Sequence, residues 1–203
     1  MRQKIGVIGC NGNMGQRYKR ILQSMPSVET LLFDLGDAIP GGLIDGAVVA
    51  TPTGTHIEVI RDLVSMNPEI HILCEKPIAL CSKEAEEAFA MAPNLRMVNQ
   101  YKFAAALTDL SQESNDATYY DYFRTGKDGL YWDCINIVGL AESTVTVSNK
   151  SPLWRCSING QPLSLQDIDA GYIADVADWV EDGGTNLEYA IEAHRKVEWL
   201  INA

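Results

Sequence analysis

The sequence lacks the features that mark several classes of protein. Lysine and arginine number 16 against 27 aspartate and glutamate residues, so the formal net charge is −11. No polybasic stretch occurs that would favour nucleic acid. No apolar run reaches the ~18 residues of a membrane helix, and the first residues carry no signal-peptide pattern. We therefore expect a cytoplasmic protein that binds neither nucleic acid nor a membrane.

Cysteine and histidine are also scarce. The five cysteines are odd in number and form no Cys-x-x-Cys pair, which indicates neither a disulfide framework nor a zinc site. The three histidines, at 56, 71 and 194, are too scattered to suggest a metal cluster. We therefore predict no metal. Hydrophobic residues make up 46% of the 203 residues, which is enough for the core of one large domain or two small ones.

The start of the chain predicts a strand, a glycine-rich turn and a helix. Residues 5–9 form a short apolar run, residues 16–25 have a helical pattern, and glycines stand between them at 9, 12 and 15. Glycines there allow a positive φ, a close approach to a pyrophosphate, and tight packing of a helix whose N-terminus faces the anion. The spacing is Gly-x-x-Gly-x-x-Gly and not the commoner Gly-x-Gly-x-x-Gly.

A second predicted strand, residues 29–33, ends in Asp34, which lies 25 residues after Gly9. A dinucleotide-binding fold places near this point the carboxylate that accepts hydrogen bonds from the adenosine ribose. Leu35 and Gly36 follow, with no arginine or lysine to receive a 2′-phosphate, so the sequence favours NAD over NADP. The alternative interpretation is that Asp34 is only a turn residue before Gly36.

Strands and helices alternate to about residue 100. This pattern predicts an α/β fold with an N-terminal Rossmann domain, a doubly wound parallel sheet whose ligand lies at the carboxyl ends of the strands. The connection between Asp34 and Ala47 is too short for a full helix, so one crossover is reduced to a loop. The loops expected at the ligand edge are residues 9–15, Asp34, 51–56, 75–77 and 99–101.

After about Phe103 the pattern becomes that of a reduced α+β domain. It predicts strands at 117–123, 143–148 and 154–158, a helix at 128–141, a turn at Asn159-Gly160 and two closing helices. We expect an NAD(P)-binding domain at 1–103 and an abbreviated substrate and oligomerisation domain at 104–203. Capping-box spacing predicts helix starts at Thr55, Ser164 and Thr185, and Ser82 is expected to cap a helix from about residue 83.

The tetrapeptide Cys74-Glu75-Lys76-Pro77 ends the apolar run of residues 70–73. A lysine at a strand end, stiffened by a following proline, suits a hydrogen-bond donor or proton relay for a substrate hydroxyl being oxidised to a carbonyl. The alternative is an ordinary surface turn.

Four segments, residues 9–15, 50–56, 74–80 and 99–103, resemble in order the Gfo/Idh/MocA oxidoreductases, named for glucose-fructose oxidoreductase and inositol dehydrogenase. The resemblance covers the first half and is fainter at 173–180 and 187–200. It implies an NAD(P)-dependent dehydrogenase or reductase that transfers a hydride between nicotinamide and a carbinol or carbonyl carbon. The implied substrate is a sugar, cyclitol or related polyol, and the implied assembly is a homodimer or homotetramer.

The resemblance also implies residue roles. The lysine matching Lys76 contacts both the nicotinamide ribose and the substrate hydroxyl, and a cis bond often precedes its proline. The implied catalytic residues are Lys76, Asp133 and Tyr101. The expected cofactor-binding residues, from the glycine turn and from the resemblance together, are Gly9, Gly12, Asn13, Met14, Gly15, Asp34, Thr51, Pro52, Thr53, His56, Glu75, Lys76, Pro77 and Gln100.

The chain departs from this family in two ways. Members are commonly much longer, whereas only 100 residues follow Phe103 here. The usual Asp-x-x-x-His pair appears as Asp133 followed by Ile137, and isoleucine cannot move a proton, so Lys76, Asp133 or Tyr101 would supply the relay. The alternative for Asp133 is an exposed helix residue. Two other functions stay open: a catalytically weak dinucleotide-binding regulatory or partner subunit, and a dihydrodipicolinate-reductase-like enzyme, which the glycine spacing suggests.

Overall fold

The computed structural model describes residues 2–39, 42–107, 116–120, 132, 135–140, 144–148 and 155–202. The chain forms two compact units, Met1–Val98 with Val176–Leu187 and Asn99–Asp175 with Glu188–Ala203. The division at residue 103 into two domains stays a prediction, to which the structure adds that residues 176–187 pack with the first unit. Within the described residues, no helix is both long and apolar enough to span a bilayer.

The first unit is built on a five-stranded parallel sheet in the order β2-β1-β3-β4-β5. All four residues of β3 and the last three of β4 are buried, as expected for central strands covered on both faces. This sheet confirms the predicted Rossmann fold. The strands are β1 (Gln3–Ile8), β2 (Val28–Phe33), β3 (Gly46–Val49), β4 (His71–Cys74) and β5 (Leu95–Met97).

Three helices accompany these strands: α1 (Asn13–Gln23), α2 (His56–Met66) and α3 (Ser82–Met91). Helix α1 buries Tyr18, Ile21 and Leu22, whose spacing of three and four residues places them on one face. Full burial of each such large side chain contributes roughly 1.5–3 kcal/mol. The packing of this face fixes the position of the helix N-terminus.

The strand order creates a crevice at the carboxyl ends of β1 and β3. These strands are neighbours, but the chain leaves β1 towards β2 on one side and returns to β3 on the other. Such a switch point is where open α/β sheets bind ligands. The connection from β2 to β3 contains no helix in its described residues, 34–39 and 42–45, which confirms the expected loop.

The second unit contains a mixed sheet in the order β7-β6-β8-β9. Its strands are β6 (Asp116–Tyr120), β7 (Thr144–Ser148), β8 (Arg155–Ile158) and β9 (Gln161–Leu163). The predicted turn at Asn159-Gly160 joins β8 to β9, and both residues have positive φ, 51° and 74°, as a type I′ turn requires. Strand β9 was not expected from the sequence.

The other α-helices in the described part of the chain are α4 (Gln100–Leu107), α5 (Ile135–Leu140), α6 (Leu165–Asp182) and α7 (Leu187–Asn202). The capping box before α6 is confirmed, because Ser164 and Asp167 exchange hydrogen bonds of 3.1 and 2.7 Å.

Of the other three predicted caps, one is confirmed in position and two are wrong. Thr55 is the cap residue of α2, as predicted, but its hydroxyl donates to the Pro52 carbonyl at 2.7 Å and makes no cap bond. Cys81, not Ser82, occupies the cap position of α3. The Thr185 hydroxyl donates to the Leu95 carbonyl. In two of these cases a nearby backbone carbonyl takes the hydroxyl that spacing alone assigned to the helix.

Candidate active site

The three glycines after β1 differ in what the protein requires of them. Gly9 has φ +86°, and a Cβ there would lie 2.9 Å from the Ala50 carbonyl oxygen. A Cβ at Gly15 would overlap the Gly9 carbonyl oxygen and lie 2.7 Å from Cys10 Cα. A Cβ at Gly12 would meet nothing closer than 3.5 Å. Gly9 and Gly15 are therefore required by the fold, whereas a Cβ at Gly12 would make only ordinary van der Waals contacts.

Gly12 lies at the N-terminus of α1. Gly12 is the cap residue and makes no side-chain cap bond, and the first turn holds no acidic residue. The first N–H groups of a helix have no partner inside it, and the helix dipole favours an anion there. Gly12 and Asn13 are exposed, and Met14 is half-buried. The backbone of residues 12–15 thus fits a dinucleotide pyrophosphate, which this turn would hold without a side-chain charge.

Asp34 follows β2 and contacts the glycine turn. Its carboxylate accepts hydrogen bonds from the Asn11 side-chain amide and from the Leu35 N–H, the latter at 2.9 Å. Its own N–H donates to Asp37 Oδ2 at 2.7 Å. Gly36, at φ +92°, completes the turn. Asp34 is thus both a turn residue and a neighbour of the glycine turn, so the two interpretations of this residue are geometrically compatible.

The loop after β3 lies against the same turn. A Cβ on Gly9 would meet the Thr51 side chain at 3.0 Å, so the buried Thr51 borders the glycine turn. The hydroxyls of Thr51 and Thr55 are 2.9 Å apart. Pro52 is exposed and Thr53 is half-buried at the start of a short 3-10 helix, Thr53–Thr55.

His56 connects this loop to the lysine turn from inside the protein. Its side chain is 1% exposed; Nε2 lies 2.8 Å from the Thr51 carbonyl oxygen, and Nδ1 lies 3.0 Å from that of Pro77. Burial lowers the pKa of His56. The backbone carbonyls and the Glu75 charge act in the opposite direction, but their effect is smaller. The structure thus places His56 beneath the surface of the predicted site.

Glu75 and Lys76 follow β4 at the same edge of the sheet. Glu75 is 6% exposed, and its carboxylate accepts hydrogen bonds from the Tyr18 hydroxyl at 2.6 Å and from the Lys76 N–H at 3.0 Å. The Lys76-Pro77 bond is cis, as the resemblance implied. Lys76 is half-buried. Burial and the Glu75 charge raise the pKa of the Cys74 thiol well above its ordinary value, which keeps the thiol neutral.

The sequence did not predict a role for three residues of this edge: Asn11, Tyr18 and Asp37. Tyr18 showed only the apolar spacing of a core residue, and its bond to Glu75 spans 57 positions of the chain. The position of Asn11 inside the glycine turn could have indicated that it lies at this edge.

The remaining predicted residues belong to the second unit. Gln100 is 2% exposed, and its Oε1 accepts a hydrogen bond from the Asn136 side chain at 2.8 Å. Tyr101 is 5% exposed on α4. Asp133 lies outside the described residues, and Ile137 is fully buried in α5. The roles of Gln100, Tyr101 and Asp133 stay predictions. Among the described residues, no group of three His, Cys, Asp or Glu side chains could hold a metal ion.

The parallel sheet and the glycine turn define a nucleotide-binding Rossmann protein. Residues 28–103 match the family model GFO_IDH_MocA, described as the oxidoreductase family with an NAD-binding Rossmann fold. The rhizopine catabolism protein MocA of Rhizobium meliloti is 36% identical over 62 residues, which are 30% of this chain and 19% of that protein. Residues 28–103 are therefore similar to the Gfo/Idh/MocA oxidoreductases, and the chain spans about a fifth of the length of the curated relative that it matches.

Solved structures show the same fold. A myo-inositol dehydrogenase from Corynebacterium glutamicum superposes with a TM-score of 0.72 at 15% identity, covering 100% of this chain and 96% of that one. The WlbA (WbpB) dehydrogenase from Thermus thermophilus, solved with NAD and UDP-GlcNAcA, gives 0.69 at 16% identity, covering 98% and 94%. At these identities the likeness concerns the fold alone.

Proposed function

We propose that the protein is an NAD-dependent oxidoreductase that transfers a hydride between nicotinamide and a carbinol or carbonyl carbon of a sugar, cyclitol or related polyol. The observation that carries this proposal is the position of Lys76. It follows β4 at the carboxyl edge of the sheet, and His56 connects its turn to the loop that borders Gly9. A lysine beside a pyrophosphate cradle is suited to act on a substrate oxygen.

The end of β2 supports NAD over NADP. The Asp34 and Asp37 side chains lie in one turn, where the Asp34 N–H donates to the Asp37 carboxylate. Residues 34–39 contain no lysine or arginine. A 2′-phosphate at this turn would meet negative charge without a basic partner, whereas ribose hydroxyls can donate hydrogen bonds to a carboxylate.

In the proposed reaction the protein itself supplies a hydrogen bond to the substrate hydroxyl oxygen and a path for the proton of that hydroxyl. The dinucleotide, when bound, supplies the hydride acceptor for oxidation or the donor for reduction. Loss of hydride from a carbinol carbon must be accompanied by loss of its hydroxyl proton. Lys76 holds that oxygen and relays the proton, and it returns a proton to the oxygen in the reverse direction.

The test is Lys76→Ala with Lys83→Ala as the matched control. Lys83 lies on the exposed surface of α3, where its side chain is 84% exposed. We expect Lys76→Ala to bind NADH within about tenfold of the wild type, because it loses at most one hydrogen bond to the ribose. Turnover should fall by roughly 10²–10⁴-fold, the usual contribution of a proton-transfer group. Nicotinamide absorbance with a panel of sugars and polyols measures turnover. Normal turnover with normal NADH affinity would exclude this role for Lys76.

A second candidate function is a dinucleotide-binding subunit with weak or no chemistry. It is favoured by Ile137, which stands where the resemblance expects the acid-base histidine and is fully buried. Such a protein would gain thermal stability from NADH, because a ligand of the native state raises Tm. It would show no substrate-dependent change in nicotinamide absorbance with any member of the panel.

A further inference from the structure

The His56 ring faces two groups of the same hydrogen-bonding character. Its Nε2 and Nδ1 lie 2.8 and 3.0 Å from the carbonyl oxygens of Thr51 and Pro77, and a carbonyl oxygen can only accept. A neutral imidazole has one N–H donor and one bare nitrogen, whereas the protonated ring has two donors. The neutral ring can therefore satisfy only one of the two carbonyls, and the protonated ring satisfies both.

The two carbonyls belong to the two turns that the proposed function uses. Thr51 borders Gly9, where the pyrophosphate cradle begins. Pro77 directly follows Lys76. The ring is a buried connection between the cofactor turn and the lysine turn, and the strength of this connection depends on one proton.

Opposing effects act on this proton, and burial is the largest of them. The Glu75 carboxylate, held by Tyr18 and by the Lys76 N–H, favours the protonated ring, as do the carbonyls. Burial of the ring opposes protonation. The other titratable groups nearby along the chain are the Lys76 ammonium in the facing turn, Glu58 in the first turn of α2, and the neutral Cys74 thiol. An added anion near Thr51 shifts the balance towards protonation.

We propose that His56 is a positioning residue and that dinucleotide binding loads a proton onto it. This inference rests on the proposed function. The pyrophosphate anion at the glycine turn favours the imidazolium, whose second N–H then bonds the second carbonyl and fixes the Lys76 turn against the Thr51 turn. Binding and protonation are reciprocal, so dinucleotide affinity rises as the pH falls, by at most tenfold per pH unit.

The first test uses the wild-type protein. NADH is titrated by calorimetry in two buffers of different ionisation enthalpy, which gives the number of protons taken up, and by nicotinamide fluorescence between about pH 6 and pH 8, where histidine titrates. We expect uptake of a fraction of one proton and tighter binding at the lower pH. Binding with no proton uptake would overturn the inference and leave the proposed function standing. No NADH binding at any pH would overturn both.

Two variants assign the proton. His56→Gln retains an N–H for one carbonyl but cannot acquire a second donor by protonation, so we expect it to bind NADH without proton uptake and with a flattened pH dependence. His71→Gln is the matched control, because His71 stands at the opposite end of β4 with Nδ1 3.1 Å from the Gly183 carbonyl oxygen. It should keep the wild-type uptake. Uptake that persists in His56→Gln would overturn the assignment, and the wild-type measurement decides the case if that variant does not fold.

Discussion

Two glycine-to-alanine substitutions in the glycine turn should separate an effect on dinucleotide binding from an effect on stability. Gly15→Ala places a Cβ onto the Gly9 carbonyl oxygen and 2.7 Å from Cys10 Cα, both of which are backbone. Such overpacking costs up to ~3 kcal/mol, and the gain in helix propensity returns ~1 kcal/mol, so we expect a net loss of about 2 kcal/mol of stability. Gly12→Ala meets nothing within 3.4 Å, and its φ of −71° suits alanine.

Gly12→Ala should therefore change the free energy of unfolding by less than about 1 kcal/mol, a modest cap effect. Its methyl group would lie at the helix N-terminus assigned to the pyrophosphate, so we expect NADH affinity to fall at least tenfold, or about 1.4 kcal/mol. Urea denaturation measures the first quantity and a fluorescence titration with NADH the second. Wild-type affinity in a folded Gly12→Ala protein would refute the placement of the pyrophosphate, and wild-type stability in Gly15→Ala would refute the steric argument.

Three further changes test the surroundings of this turn. Asp34→Ala should weaken NAD more than NADP, because it removes the carboxylate that favours ribose hydroxyls over a phosphate; paired titrations measure the preference. Tyr18→Phe should destabilise the protein by about 1–3 kcal/mol in urea denaturation, because a buried Glu75 oxygen loses its donor. Stability should also fall as the pH drops below 6.5, the ordinary pKa of histidine, because the lowered pKa of folded His56 lets the unfolded chain take up the proton first. NADH should lessen this loss.

Each of these expectations has a defined failure. An unchanged NAD to NADP preference would show that Asp34 does not contact the ribose. A Tyr18→Phe protein within about 0.5 kcal/mol of wild type would mean that Glu75 finds another donor. If His56→Gln keeps the same loss of stability from neutral pH to pH 5–6, the acid sensitivity belongs to other groups.

Local signals in the sequence predicted the elements that depend on local physics. Backbone conformation and close packing require glycine at positions 9 and 15, and the turn at Asn159-Gly160 requires residues that accept a positive φ. Residue type and spacing were therefore enough to predict both turns. The parallel sheet followed from alternating apolar runs. The residues predicted at the cofactor edge of the sheet were those that directly follow a predicted strand.

The parts that were missed depend on contacts between distant positions. The apolar spacing of Tyr18 marks a core residue, and nothing near it in sequence shows that its hydroxyl meets Glu75. His56 was expected to line the dinucleotide, and only the fold reveals that two carbonyls enclose its ring. Thr185 had the spacing of a helix cap, but the carbonyl of the distant Leu95 accepts its hydroxyl hydrogen bond.

Residues 176–187, which belong to the first unit, cover the β5 edge of its sheet. Three side chains of this segment make four hydrogen bonds to strand β5. The Asn186 side-chain amide pairs with both backbone groups of Met97, the Thr185 hydroxyl donates to the Leu95 carbonyl, and Asp178 accepts from Arg96 at 2.7 Å. The Asn186 and Thr185 side chains thus form hydrogen bonds with outward-facing N–H and C=O groups of β5, with which another strand could otherwise pair.

This arrangement has a consequence for synthesis on the ribosome. The strand emerges about 90 residues before the segment that covers its edge, which at 5–20 residues per second corresponds to roughly 5–18 s. During that interval the nascent sheet has an unprotected parallel edge, the kind of surface on which chains pair with one another. The edge of β5 is therefore covered only after this later segment has been made, and we expect chaperone contact with the growing polypeptide to concentrate in that window.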